Sequence, residues 1–177
     1  PGKDVTIDDI YSSCELKGFD EYNKNELIYA EKDIESEQLI ANHAIRSLIE
    51  QKRRDGYKIC FVSDMYMPSS FLKQVLQKEG CIEDGEEVYV SCEWNSRKSN
   101  GTLYKKLKEE LKPRVWEHYG DHPVSDVKRA RQNGIRATKI ETSFNSAENN
   151  NIQSPSSQMH YESSILAGYS RAARLLF

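Results

Sequence analysis

Apolar positions along the chain change their spacing several times, and each change predicts a new element. Ile7, Ile10 and Tyr11 fall on one face behind Thr6, a helix-capping residue type, with Asp8 and Asp9 suited to the positive end of the helix dipole. Residues 27–37 continue in acid-rich helical patterning. Over residues 39–52, Leu39, Ile40, Ala44, Ile45, Leu48 and Ile49 recur at three- and four-residue spacing and predict a helix, with Gly56 as its stop. The period then shortens. Residues 57–62 form an apolar run between Gly56 and Ser63, the pattern of a strand buried on both faces. Pro68 opens a helix whose inner face carries Phe71, Leu72, Val75 and Leu76, and Gly80 ends it. Residues 88–92 read as a strand, 103–111 as a helix and 116–119 as a more polar strand. Residues 125–132 read as a helix capped by Gly134, and 137–140 as a last strand. Strands alternating with helices in this way predict an α/β fold with a parallel sheet covered on both faces.

The text changes again after Glu141. Ser143, Asn145, Ser146, Asn149, Asn150 and Asn151 begin a polar stretch, and residues 142–160 are expected to be a flexible linker. Helical spacing resumes at Tyr161, Ile165, Leu166 and Tyr169, so residues 161–177 read as the start of a further helical segment. No internal repeat is visible. The 177 residues suit one ordinary domain with a small attachment. With 25 Lys and Arg against 28 Asp and Glu, the net charge of -3 gives no field that would gather nucleic acid or an anionic membrane surface. Apolar runs stay far short of the roughly 20 residues needed to span a bilayer. The four cysteines, Cys14, Cys60, Cys81 and Cys92, lie far apart with no C-x-x-C pair, as expected of reduced, structural thiols in a cytoplasmic protein.

Function in open parallel sheets collects at the carboxyl ends of the strands, and this chain places polar groups there. Ser63-Asp64-Met65-Tyr66 follows the first strand. Ser91 follows the second, with Arg97-Lys98-Ser99-Asn100-Gly101 downstream, and Gly120-Asp121 to Ser125-Asp126 follows the third. The Ser63 hydroxyl suits a phosphate oxygen. Lys98 is a compact positive charge able to neutralise phosphate or charge developing in a transition state. Asp121 and Asp126 offer hard oxygen ligands of the kind Mg2+ takes, one or two at a time, with water. Asp126 also opens a helix and suits its dipole. His118 and His122 are four apart, but a strand and the turn beyond it do not make their side chains converge on a metal. His43 is expected to be a partly buried helix residue, Lys52-Arg53-Arg54 a solvated helix end, and Trp94, Tyr104 and Trp116 core or rim aromatics. Trp94 lies near Lys98 in sequence, where it could border a pocket.

Taken together, Phe61-Val62-Ser63-Asp64-Met65-Tyr66-Met67-Pro68, Lys98 with Gly101 and Tyr104, Gly120-Asp121 to Ser125-Asp126-Val127, and Gly134-Ile135 resemble the haloacid dehalogenase superfamily. The likeness covers about residues 6–141. It is nearest to the HAD-like hydrolase domains found beside glycosyltransferases in bacterial surface-polysaccharide proteins. The resemblance implies a Rossmann-like core of the HAD type over residues 39–141 and a helical cap remnant over residues 1–38. It also implies Mg2+-dependent hydrolysis of a small phosphorylated substrate, with a glycosyltransferase or other domain in the same parent chain. By resemblance Ser63 contacts the transferred phosphoryl group, Lys98 steadies phosphate and nucleophile, and Asp121 and Asp126 serve the metal, Asp121 the more directly.

One part of the family pattern is missing. Its first motif, an apolar strand ending in Asp-x-Asp, supplies the aspartate that attacks phosphorus and lies mid-sheet between the strands leading to Ser63 and Asp121. Asp4-Val5-Thr6-Ile7-Asp8-Asp9 is too short and acidic to be that strand, and Asp64-Met65-Tyr66 lacks the second Asp. Loss of such a nucleophile lowers turnover on the order of a million-fold. The expectation is therefore an excerpt, inactive as written, whose parent carries the strand just upstream of Pro1. A degenerate, non-catalytic HAD-like domain that binds phosphate ligands or a protein partner is the alternative. A receiver or flavodoxin-like module is a third.

Overall fold

The structure, a computed structural model, describes residues 4–13 and 23–140, which divide after Pro113 into two units. The first runs α1 (Ile7–Ser13), α2 (Lys24–Gln38), α3 (His43–Arg54), β1 (Cys60–Ser63), α4 (Ser69–Lys78), β2 (Glu87–Val90), α5 (Ser91–Trp94) and α6 (Thr102–Leu111). The second runs β3 (Glu117–Gly120), a π-helix (Pro123–Lys128), α7 (Arg129–Gln132) and β4 (Arg136–Lys139). In each, two parallel strands are joined through helix: β1 pairs with β2 from Cys60↔Glu87 to Ser63↔Val90, and β3 with β4 from Glu117↔Arg136 to Gly120↔Lys139. The protein is thus mixed α/β, with parallel strand pairs interleaved with helices. Among the described residues each sheet has two strands.

Packing in the first unit follows the amphipathic face of α4. Phe71 and Val75 point into a cluster with Ile7, Ile28 and Met67, so α1, α2 and α4 share one core. Burying each such side chain contributes about 1.5–3 kcal/mol. Leu72, one step round the helix, also meets the cluster of Ile82, Val88, Val90 and Cys92 under the sheet. Residues 4–13 and 23–38 therefore pack within the same unit as the β1–β2 pair. Two bonds reinforce this: the Ile7 N–H donates to the Tyr66 carbonyl at 3.0 Å, and the Tyr66 hydroxyl donates to Glu31 at 2.7 Å. That bond to Glu31, with burial, pushes the Tyr66 phenol up to about 12.

Several expectations hold and others shift. Thr6 caps α1 in a reciprocal box, accepting the Asp9 N–H at 3.1 Å while Asp9 accepts the Thr6 N–H at 3.1 Å. α2 begins earlier than its apolar spacing predicts, because Asn23 and Glu26 form a second capping box. The helix expected over residues 39–52 starts only at His43. Asn42 takes the Ala44 and Ile45 N–H groups on its side chain, which fixes a new N-terminus and leaves Leu39 and Ile40 exposed in the break. His43, at the first position of α3, is exposed rather than half-buried. β1 is half-buried along its length, not buried on both faces, since its sheet has one other strand among the described residues. The strand expected to run to Cys92 stops at Val90 and turns into α5. The helix expected from Ser125 opens with π geometry at Pro123 instead, where the Arg129 N–H reaches back five residues to the Val124 carbonyl.

Cys60, Cys81 and Cys92 are unbridged, and burial pushes the Cys60 thiol up to about 11, so it behaves as a small apolar group. No described helix is long and apolar enough to cross a membrane. Cys14, the linker expected at 142–160 and the segment 161–177 lie outside the described residues.

Candidate functional site

Ser63 ends β1 opposite Val90, and the chain leaves the sheet at Asp64. This exit is held from three places. The Asp64 carboxylate accepts the Lys98 N–H at 2.7 Å and the Ser99 N–H at 3.0 Å. Ser91, at the end of β2, accepts the Met65 N–H at 3.0 Å and donates its hydroxyl to the Met65 carbonyl at 3.3 Å. Glu93 accepts both the Ser69 N–H at 2.8 Å and the Ser69 hydroxyl at 3.1 Å, which satisfies a donor at the start of α4 that has no side-chain cap of its own. Sequence reading brings Ser63 and Lys98 forward separately. The fold ties the backbone of one to the residue beside the other.

The turn that carries Lys98 is also knitted within itself. The Gly101 N–H donates to the Lys98 carbonyl at 2.9 Å, and the Arg97 N–H donates to the Thr102 hydroxyl at 3.1 Å. Gly101 sits at φ 82°, a left-handed position that glycine fills without strain, and α6 starts directly after it. From the other side, Asp4 pairs with the Arg97 guanidinium through Nε and Nη2. The Asp4 N–H donates to Asn95 Oδ1 at 2.8 Å. Asp4 is buried. Burial raises its carboxyl, but bonds from Arg97, Ser91 and the Val5 N–H outweigh this and hold it below the usual range.

In the second unit, β3 ends at Gly120 and Asp121 stands exposed at its tip. Asp126 turns the other way and is 3% exposed. Its Oδ2 accepts the His122 N–H at 3.1 Å, and its Oδ1 lies 3.4 Å from His118 Nε2. The carboxylate occupies the space a side chain at position 120 would need: a Cβ there would lie 2.5 Å from both Cβ and Cγ of Asp126. Gly120 has an ordinary φ, so what it supplies is room. His122 Nδ1 accepts the Val124 and Ser125 N–H groups and caps the π-helix. The two histidines four residues apart thus do different jobs, one beside Asp126 and one as a cap.

The sequence-predicted residues therefore fall in two pairs, Ser63 with Lys98 at one strand end and Asp121 with Asp126 at another. Asp121 faces outward as a hard oxygen donor, whereas Asp126 is turned inward to the backbone of its own turn. No group of three or more His, Cys, Asp and Glu side chains gathers as a metal cage among the described residues. A single outward carboxylate still fits Mg2+, which keeps most of its waters and takes its remaining ligands from substrate phosphate. Trp94 packs edge-on against Tyr89, ring centres 5.5 Å apart, as a packing aromatic. Two surface depressions, of about 570 and 330 Å3, lie along α2 and are lined by neither Ser63 nor Lys98.

Sequence reading missed Asp64 and Asp4 as organisers of the Lys98 turn. Asp64 stood within the quoted strand-end motif, and its adjacency to Ser63 was the available signal. Asp4 left none, because Asn95 and Arg97, through which it holds the turn, lie 91 and 93 residues away. No protein-family model matches the chain, and no curated protein matches it significantly.

Proposed function

We propose that the chain is an HAD-like phosphohydrolase domain that hydrolyses a small phosphomonoester with Mg2+, its attacking aspartate supplied by a strand upstream of Pro1. In this reading each parallel pair is part of a Rossmann-like fold of the HAD type, and α1 and α2 form a small helical cap. What supports the reading is the bonding of Asp64 to the Lys98 turn, which holds the Lys98 backbone beside the strand end that carries Ser63.

The Ser63 hydroxyl donates to a phosphoryl oxygen, and the Lys98 ammonium neutralises charge that builds on the phosphoryl group. Asp121 holds Mg2+, with Asp126 bracing the turn behind it. When bound, Mg2+ offsets the charge of the phosphate oxygens. The cap keeps water from the phosphoryl group and selects the substrate. A glycosyltransferase or other domain of the same parent chain is the proposed neighbour.

The test is release of inorganic phosphate from simple phosphomonoesters by the chain carrying its native upstream residues. Turnover that requires Mg2+ and is lost in Asp121→Ala and Lys98→Ala supports the enzyme. Saturable phosphate binding with no turnover supports a non-catalytic domain instead. Absence of both refutes the phosphate site.

A further inference from the structure

We propose that Asp64 is a positioning residue for Lys98, a carboxylate that favours phosphate binding although its own charge opposes it; this rests on the phosphate-site reading above. Both backbone groups of Lys98 are engaged. Its N–H donates to Asp64 at 2.7 Å, and its carbonyl accepts the Gly101 N–H at 2.9 Å. The next N–H, of Ser99, donates to the second Asp64 oxygen at 3.0 Å. One carboxylate therefore grips two successive amides, and the bonds are charge-assisted. With its Cα fixed, Lys98 brings its ammonium to bear from a set origin, and the ordering entropy of the turn is already spent before an anion arrives. Arg97, the preceding residue, is gripped independently by Asp4, so Asp64 governs the two amides that Asp4 does not reach.

Simple electrostatics makes the opposite forecast. A carboxylate next to Ser63 repels phosphate, so its removal should tighten anion binding. A positioning role predicts weakening. The sign of one measurement separates the two.

The experiment is titration of the chain, carrying its native upstream residues, with inorganic phosphate in the presence of Mg2+, for wild type, Asp64→Ala, Asp64→Asn, Lys98→Ala and the Asp64→Ala/Lys98→Ala double variant. Loss of two charge-assisted bonds in Asp64→Ala is expected to weaken binding about tenfold. In the Lys98→Ala background the same change should do almost nothing, because its effect runs through that lysine. Asp64→Asn keeps one acceptor oxygen and should recover part of the loss. Amide exchange at Lys98 and Ser99, slow in wild type and fast in Asp64→Ala, reports the grip itself. If the alanine variant fails to fold, judged by near-ultraviolet circular dichroism, the asparagine variant carries the comparison. Binding that is unchanged or tighter in the Asp64 variants, or equal losses with and without Lys98, overturns the assignment while leaving the phosphate site intact. No saturable binding by wild type overturns both.

Discussion

Gly120→Ala is the sharpest single perturbation of the second unit. The added methyl group would lie 2.5 Å from two Asp126 carbons and 2.7 Å from Oδ2. Ordinary contact begins near 3.4 Å, so something must yield by roughly 0.9 Å. The near atoms include the Asp126 Cβ, which rides on the backbone, so a rotamer change alone gives no relief. Overpacking of this kind costs about 1–3 kcal/mol. A displaced Asp126 also gives up the His122 N–H, a charge-assisted bond contributing about 1.5–3 kcal/mol. The sum is about 4 kcal/mol, equivalent to a roughly thousand-fold rise in the open population. Amide exchange reads it directly, at the Ile140 N–H on the Gly120 carbonyl and the Arg136 N–H on the Trp116 carbonyl. Pairing Gly120→Ala with Asp126→Gly removes every atom in the clash, and the double variant should lose much less than the two singles added. Exchange in Gly120→Ala within a few-fold of wild type, or strict additivity with Asp126→Gly, would refute the reasoning.

Two further outcomes concern the first unit. Arg53 grips Glu86 through two bonds of 2.8 and 2.6 Å and also donates to the Cys81 carbonyl at 2.7 Å, with both side chains largely buried. Arg53→Ala should cost about 3 kcal/mol in urea unfolding by stranding Glu86, while Arg53→Met with Glu86→Leu lies closer to wild type; a single variant within about 0.5 kcal/mol contradicts this. In the pH profile, burial pushes the Asp4 and Glu86 carboxyls up, but their arginine partners, Ser91 and nearby backbone N–H groups more than compensate, leaving both below their ordinary values. Groups lowered on folding stabilise the native state above their unfolded pKa, near 4, and lose that contribution as pH falls through the folded value. Stability should therefore hold from neutrality to about pH 5 and drop below about pH 4, with a smaller drop in Asp4→Asn and Glu86→Gln; a rise on acidification is the contrary result.

Much of this was readable along the chain, for local reasons. β1, α4, β2 and α6 follow from apolar period and Gly or Pro punctuation, since the packing faces that form are the ones the spacing aligns. Ser63, Lys98, Asp121 and Asp126 stood out because each follows a strand. What escaped was mostly non-local or masked. Leu39 and Ile40 continue the α3 period without being in the helix, because the Asn42 cap sits inside an unbroken pattern. The Asn23–Glu26 box was present as residue types, yet it precedes the first apolar position that marks α2. The inward turn of Asp126 depends on an absent Cβ six residues earlier. Asp64 acts on amides 34 and 35 residues away, and no periodicity encodes which backbone groups a carboxylate will meet.

The stitching of residues 64–69 has a consequence for biogenesis. Every bond that immobilises this loop from β2 and beyond comes from a residue 24 to 35 positions later, the last being Ser99. On a chain emerging at about 5–20 residues per second, the segment after Ser63 lacks these bonds for seconds after it is made. A translation pause or truncation before the Lys98 turn therefore yields a strand end braced only by earlier residues such as Ile7 and Glu31.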